Sequence, residues 1–157
     1  MVRIELTTVI AAPIERCFDL SRSIDTHMAS TAWTGERAIA GVTSGLIGSG
    51  QEVTWRGRHL GINVTHTSRI TAYDPPRYFQ DSMVRGMFHR FCHDHYFALQ
   101  DGRTVMKDVM QFEAPLGLAG RLIESVILKG HMRRLLARRN QYLKRVAETD
   151  EWRKFLV

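Results

Sequence analysis

Between residues 115 and 148, apolar side chains recur with the spacing of an amphipathic α-helix. Two faces are apolar, and their centres lie more than about 90° apart when residues are placed at helical spacing. Because one straight helix cannot turn both faces toward one surface, the pattern predicts a bend or short break near Gly130, where glycine weakens the helix. The first face contains Leu118, Leu122, Ile123, Val126 and Ile127. The second face contains Met132, Leu135, Leu136, Tyr142, Leu143 and Val146.

Upstream of this helix, the chain alternates between apolar and polar residues with the period of β-strands. Residues 2–11 form a first predicted strand, and two short helices are predicted over 14–20, after Pro13, and over 23–29. Short connections in the following region favour an antiparallel meander over a parallel sheet, which would need crossover helices. The six further strands are predicted at residues 36–42, 52–59, 62–73, 78–85, 88–100 and 103–113.

The dipeptide Asp101-Gly102 is a two-residue hairpin signal, and such a turn fixes the register of the strands on either side. Counting outward from Gln100 and Arg103 gives one mostly apolar face and one mixed, polar face, as a half-buried hairpin requires. The apolar face pairs Phe97 with Met106, His95 with Asp108, His93 with Met110, and Phe91 with Phe112. The polar face pairs Tyr96 with Lys107, Asp94 with Val109, and Arg90 with Glu113.

His95 and Asp108 form a polar pair on this apolar face, with His93 beside them. Burying these groups without partners would cost a few kcal/mol, so they must bond to each other, to water or to a ligand. A carboxylate beside an imidazole favours the protonated ring and fixes its tautomer. Three roles stay open for the pair: an internal contact that specifies packing, an anchor for a ligand, and acid–base catalysis.

Three further polar side chains, His59, His66 and Asp81, belong to the apolar sets of their strands and are expected to face the same interior. Histidines on strands, with His93 and His95 two residues apart on one face, are a set that zinc can use. No cysteine or close carboxylate motif accompanies them, so we expect no metal ion and no other cofactor.

The chain has 157 residues, of which 44% are hydrophobic, and one domain of this length buries about 70% of its unfolded surface. We expect this domain at residues 1–148 and a tail at 149–157. A run of about 18 apolar residues is absent, and Arg3 and Glu5 stand where a signal peptide would be apolar, so we expect a cytoplasmic protein. Cys17 and Cys92 lack metal-motif spacing and are expected to be reduced.

The net charge of +6 comes from the C-terminal element. Residues 121–154 contain ten Lys or Arg and four Asp or Glu, a surplus of six, and the rest of the chain contains twelve of each. Arg134, Arg138 and Arg145 fall opposite the second apolar face, as on the solvated back of a helix. Contact of this face with anionic membrane lipid or an acidic protein is the alternative. We expect no nucleic acid partner, because no aromatic or motif signature accompanies the charge.

The order of one strand, two short helices, a six-stranded meander and a long C-terminal helix resembles the helix-grip fold of the SRPBCC superfamily, which includes START domains, birch-pollen-allergen-like proteins and polyketide cyclases. The resemblance covers nearly the whole chain. It implies an α+β fold in which a curved, seven-stranded antiparallel sheet grips the helix and leaves an elongated cavity for apolar molecules. The motifs that resemble a bacterial ligand-binding or cyclase/dehydrase-like subgroup are Arg-Gly-Met-Phe at 85–88, Phe91, His-Asp-His-Tyr-Phe at 93–97, Thr104, Met106, Asp108 and Ala-Pro-Leu-Gly at 114–117.

Three hypotheses for function follow. The leading one is binding of a hydrophobic small molecule, such as a lipid, sterol or polyketide-like compound, between the sheet and the helix. The second is a cyclase, dehydratase or isomerase step, in which a histidine removes a proton alpha to a carbonyl while Asp108 holds its tautomer. The third is an interaction module that uses the basic helix, and Trp152 and Phe155 leave both a monomer and a homodimer open. Candidate catalytic residues are His95, Asp108 and His93. Candidate ligand-binding residues are Trp55, His59, His66, Phe79, Asp81, Phe91, His93, His95, Phe97, Asp108, Met110, Phe112 and Val126.

Overall fold

The structure, a computed structural model, describes residues 1–114, 117, 122 and 124–157. Within these residues the strands are β1 Val2–Ile10, β2 Arg37–Gly41, β3 Glu52–His59, β4 Ile62–Asp74, β5 Tyr78–Arg85, β6 Arg90–Gln100 and β7 Arg103–Glu113. The α-helices are α1 Ile14–Ser21, α2 Ile24–Ser30, α3 Lys129–Glu148 and α4 Arg153–Leu156. Two 3-10 turns lie at Ala32–Thr34 and Asp150–Trp152, and a π-helical turn lies at Glu124–Leu128.

All seven strands form one antiparallel sheet in the order β1-β7-β6-β5-β4-β3-β2. From β2 to β7 the strands follow chain order, so short connections suffice, and only β1 leaves that order to pair with β7 at the far edge. The predicted α+β architecture is therefore confirmed, including the two short helices after the first strand. Ser23 begins α2 as its N-cap, because its hydroxyl accepts a hydrogen bond from the backbone N–H of Thr26.

The β6–β7 hairpin has the predicted register throughout, from Gln100 opposite Arg103 to Arg90 opposite Glu113. Its two turn residues, Asp101 and Gly102, have φ angles of 52° and 73°. Both residues therefore have the left-handed backbone conformation, which the turn type that matches the twist of a hairpin requires. The register of this hairpin therefore follows from two residues.

The core consists of two apolar clusters that a polar layer separates. On β7, Met106 belongs to the first cluster and Met110 to the second, while Asp108 lies between them on the same face. On β6, the same order is Phe97, then two histidines, then Phe91. In the first cluster, Phe18 of α1 packs edge-on against Phe79 and Phe97 with ring centroids 5.5 and 5.4 Å apart. In α3, Leu143 and Val146 belong to the first cluster, and Met132 and Leu136 belong to the second.

The C-terminal helical element changes from π to α geometry between Leu128 and Lys129, immediately before Gly130. The second predicted apolar face is buried or half-buried in α3. The first face, predicted to be buried, is not: Leu122, Val126 and Ile127 are 68%, 67% and 52% exposed. Leu122 precedes the π turn and is exposed like Val126 and Ile127, so the three residues are alike in their exposure, and their side chains point to solvent. The predicted positions Leu118 and Ile123, and the start of this element at residues 115 and 116, lie outside the described residues.

The last residues fold back onto the domain. Trp152 and Phe155 are partly buried against the first core cluster, and the guanidinium of Arg16 lies 4.3 Å from the Trp152 ring centroid. Both aromatic residues therefore pack partly within their own chain, and the choice between a monomer and a homodimer stays open. In the described part of the chain, no helix has both the length and the hydropathy that crossing a bilayer requires.

Candidate functional site

A cavity of about 430 Å³ lies between the sheet and α3. Side chains from five strands, β3 to β7, and from the helix contribute to its wall, because alternate residues of each strand point to the same face of the sheet. The apolar wall residues include Trp55, Phe79, Phe91, Met110, Met132 and Leu136. Two groups of polar side chains interrupt this apolar lining.

Most residues that the sequence assigned to a ligand site lie in the cavity wall. Asp108 is fully buried and contacts wall residues without lining the cavity itself, and Phe97 and Phe112 are packed inside the two core clusters. The placement of Val126 in the wall is wrong, since its side chain is exposed, and Leu128 lines the cavity instead. The predicted residues that line the cavity are Trp55, His59, His66, Phe79, Asp81, Phe91, His93, His95 and Met110.

The first polar group, which we name the inner cluster, is centred on the fully buried carboxylate of Asp108. Its Oδ1 atom lies 2.9 Å from Nε2 of His93, and its Oδ2 atom accepts a hydrogen bond of 2.8 Å from the side-chain amide of Asn140. The guanidinium of Arg139 approaches Oδ1 to 3.5 Å and donates a hydrogen bond of 2.9 Å to the side-chain oxygen of Asn140. The inner cluster consists of Asp81, His93, His95, Asp108, Arg139 and Asn140.

His95 lies between the two carboxylates of the inner cluster. Its Nε2 atom is 2.8 Å from Oδ2 of Asp81, whose Oδ1 atom accepts a hydrogen bond of 3.1 Å from the hydroxyl of Ser68. Its Nδ1 atom is 3.0 Å from Oδ1 of Asp108 but is not aligned for a hydrogen bond. The ring stacks on Phe79 at a centroid distance of 4.1 Å, which fixes its plane.

Strand pairing explains why these groups meet. His93 and His95 are two residues apart on β6 and so share a face, with Asp81 opposite His93 on one neighbouring strand and Asp108 opposite His95 on the other. The sequence identified Asp108 as the residue opposite His95 across the tight β6–β7 hairpin. The second partner of His95, Asp81, comes from β5, and the register between β5 and β6 depends on a longer connection.

Burial alone would raise the pKa values of Asp81 and Asp108, but hydrogen bonds with the histidines outweigh burial and hold both pKa values well below their ordinary range. Burial also lowers the pKa of His95, yet the carboxylates of Asp108 and Asp81 on either side raise that pKa above its ordinary value. For His93, burial lowers the pKa and the adjacent His95 lowers it further, despite the contact with Asp108. The two neighbouring imidazoles therefore differ, with the proton favoured on His95.

Arg139 and Asn140 are buried, and the sequence analysis did not single them out. The signal was present, because Arg139 lies three residues after Leu136 and four before Leu143, within the apolar stripe of α3. A cation at such a position is buried only with a partner, and its partners are the Asp108 carboxylate and the backbone oxygen of Ser21 at 3.3 Å. Only Arg134, Arg138 and Arg145 were assigned to the solvated back of the helix, and Arg139 was left unassigned.

The second polar group, which we name the outer cluster, links α2, the segment before β2, strand β3 and the start of α3. The carboxylate of Glu36 lies 2.5 Å from Nε2 of His27 and 3.1 Å from Nε2 of His59. Nδ1 of His59 is 3.2 Å from Nε2 of His131 in α3. The His27 ring also packs on Trp55 at 4.2 Å. The outer cluster consists of His27, Glu36, His59 and His131, all of which line the cavity.

Burial would raise the pKa of Glu36, but hydrogen bonds with His27 and His59 outweigh it and hold the pKa well below the ordinary value of 4.5. Burial lowers the pKa of His131, and the neighbouring His59 adds to that shift. Glu36 is therefore an anion that depends on two imidazole partners.

Arg134, Arg138 and Arg145 are exposed on α3, as the helical pattern predicted. Two of them have partners within the chain: Arg138 lies 4.7 Å from the ring centroid of Trp33, and Arg145 pairs with Glu151 at 2.5 Å. Contact of this face with anionic lipid or an acidic protein stays a prediction.

Neither a protein-family model nor a curated protein sequence matches the chain. Solved structures do match over almost the full length. TTHA0849 from Thermus thermophilus is 15% identical, with a TM-score of 0.71 over 90% of this chain and 97% of that protein. Ginseng major latex-like protein 151 from Panax ginseng is 14% identical, with a TM-score of 0.69 over 94% and 98% of the two chains.

A START superfamily protein from Mycobacterium smegmatis is 13% identical, with a TM-score of 0.66 over 93% of this chain and 97% of that protein. At such low identity the likeness concerns the fold. The chain has the helix-grip fold that START and major latex-like proteins share, so the predicted fold is confirmed.

Proposed function

We propose that the protein binds a hydrophobic small molecule, of the lipid, sterol or polyketide-like kind, in the cavity between the sheet and α3. The observation that carries this proposal is a cavity of about 430 Å³ whose wall is apolar except for the inner and outer clusters. Small-molecule sites usually have volumes of about 300–1000 Å³ and combine a mostly apolar wall with a few polar groups that set orientation.

Two kinds of side chain in the wall have different roles in binding. Aromatic and aliphatic residues such as Trp55, Phe91 and Met132 supply the affinity, because each Å² of apolar surface removed from water contributes about 25 cal/mol. His93 and Asp81 reach the cavity with polar atoms and would orient a hydroxyl or carbonyl group of the ligand. Asp108 and Asn140 hold this polar end in place from the core side.

Binding of Nile red, an uncharged hydrophobic dye, tests the proposal. Leu135 lines the cavity and is half-buried, so Leu135→Trp adds an indole to the space that the dye would occupy. We expect the variant to bind the dye at least about tenfold more weakly than the wild type. Leu99→Trp is the matched control, since Leu99 is 65% exposed on β6 and should leave binding unchanged.

Equal affinity in the wild type and the Leu135→Trp variant would overturn the proposal, provided that the variant melts like the wild type. If Leu135→Trp weakens dye binding as expected, native mass spectrometry of protein purified from its own host is the next step toward the natural ligand. A bound apolar compound, extracted and identified, would define the ligand class.

A second candidate function is acid–base catalysis on a carbonyl compound, by a cyclase, dehydratase or isomerase. The observation that favours it is His93, which lines the cavity, has a lowered pKa and contacts Asp108 through Nε2. A neutral imidazole whose other nitrogen is held by a carboxylate has the arrangement of a general base.

Hydrogen–deuterium exchange at the carbon alpha to the carbonyl of 2-tetralone, followed by NMR in D₂O, tests this candidate. Catalysis predicts exchange above the buffer rate that His93→Gln reduces by about 100-fold or more, since general bases contribute at least that factor. His131→Gln, in the outer cluster, is the control. Exchange at the buffer rate with the dye still bound would leave binding as the function.

A further inference from the structure

Three side chains of the inner cluster converge on one point of the cavity wall. Asp81 lies on β5, and His93 and His95 lie on β6. One donor atom of each, a carboxylate oxygen and two ring nitrogens, lies within 4.8 Å of the others. We propose that these three residues bind a divalent transition-metal ion, independently of the apolar ligand.

The separations suit a single ion. Nε2 of His95 and Oδ2 of Asp81 are 2.8 Å apart. Two ligands at about 2.0–2.2 Å from one metal, in adjacent coordination positions, are about 2.8–3.6 Å apart, so this pair lies at the short end of that range and would open slightly to take an ion. Because Nε2 of His93 faces Asp108, its Nδ1 atom is the nitrogen left for the metal. The ligand set is thus two imidazoles and one carboxylate.

The groups around these ligands have the arrangement that metal sites use to orient them. A histidine that binds a metal usually donates its second ring N–H to a carboxylate. Here one oxygen of Asp108 lies 2.9 Å from Nε2 of His93, within hydrogen-bond distance, whereas Nδ1 of His95, 3.0 Å from the same oxygen, is not aligned for a hydrogen bond. Asp81 is oriented in the same way, by the hydroxyl of Ser68.

Both the position and the charge of the inner cluster favour the binding of a cation. Asp81, His93 and His95 line the cavity, whereas Asp108 does not, so the three ligands face the space where an ion and further ligands fit. When an ion displaces the proton of His95, the two carboxylates and the guanidinium of Arg139 leave one negative charge in the inner cluster to balance the ion. A buried site with that balance attracts a cation.

Two imidazoles and one carboxylate suit ions such as Zn²⁺, Co²⁺ and Fe²⁺ better than Mg²⁺ or Ca²⁺, which prefer oxygen ligands. The set leaves coordination positions open toward the cavity, as sites that act on a bound molecule require. The sequence argued against metal because no cysteine or close carboxylate motif accompanies the histidines. The missing carboxylate comes from the neighbouring strand.

Titration of chelator-treated protein with Co²⁺, followed by visible absorption, tests the site. We expect ligand-field bands that saturate near a single equivalent of Co²⁺. His93→Gln and Asp81→Asn should each weaken binding by more than about tenfold, because each removes a direct ligand. His131→Gln and His59→Gln, in the outer cluster, should bind as the wild type does.

Absence of the bands, or bands that persist in both His93→Gln and Asp81→Asn, would overturn the site, and so would their loss in His131→Gln. In case His93→Gln does not fold, the melting temperature of the wild type gives a second readout, which Zn²⁺ should raise and Mg²⁺ should not. Nile red binding by the chelator-treated protein separates this proposal from the proposed function, since either can fail alone.

Discussion

The inner and outer clusters are both groups of histidines and carboxylates on the cavity wall, yet they are built differently. In the inner cluster, Asp108 lies in the middle of β7 and is held by Asn140 and Arg139 from a single helix, α3. In the outer cluster, Glu36 has two imidazole partners, and the link to α3 is one contact between His59 and His131.

The comparison indicates where rigidity lies in the site. The inner cluster is a fixed polar layer between two apolar clusters, and removing one member leaves several buried groups without partners. The outer cluster joins separate elements through groups that titrate, so pH can change it without breaking the sheet. Variants in the two clusters should therefore differ in size of effect and in pH dependence.

The largest expected effect is that of Asp108→Ala. This change leaves His93, Asn140 and the buried Arg139 without their common partner, and loss of one member of a buried ionic network costs about 3–5 kcal/mol. Urea unfolding of chelator-treated protein at pH 7 measures it. The control is Asp150→Ala, whose side chain is 95% exposed and whose loss should cost less than about 0.5 kcal/mol. Equal costs for the two variants would mean that the inner cluster does not stabilise the core.

A smaller effect is expected for Glu36→Gln. The amide keeps the shape of the side chain but loses the charge that its two imidazole partners contact, and hydrogen bonds to charged groups contribute about 1.5–3 kcal/mol. The same urea measurement at pH 7 applies. Glu52→Gln is the control, because Glu52 pairs with Arg69 on the exposed side of β3 and β4. A cost as large as that of Asp108→Ala would remove the distinction between the clusters.

The smallest effect is the change with pH of the difference in unfolding free energy between the wild type and Glu36→Gln. The pKa of Glu36 is lowered in the folded protein, so its ionised form contributes stability that is fully present above the ordinary value of 4.5 and is lost as pH falls below it. We expect the gap in unfolding free energy between the wild type and Glu36→Gln to be constant from pH 7 to about 5 and to shrink below about pH 4.5. Thermal or urea unfolding across this range checks it, and a gap that grows on acidification would contradict the assignment.

How much could be predicted differs between particular residues. Asp101-Gly102 fixed the pairing of His95 with Asp108, because a two-residue turn leaves one register. Asp81 was placed in the interior by its strand pattern, but its contact with His95 depends on how β5 pairs with β6. Val126 was misplaced because helical spacing groups the residues of one face but does not decide whether that face points to the cavity or to solvent.

The sequence by itself determined the order of the elements, the β6–β7 register and the apolar face of α3, since these depend on side-chain periodicity and on local turn geometry. Only the tertiary structure decided that Arg139 and Asn140 reach Asp108, that Asp81 reaches His95, and that Glu36 joins two histidines from distant segments. Those contacts depend on how the helix lies across the sheet and how separate strands pair. That arrangement is set by packing of the whole core, which no local pattern specifies.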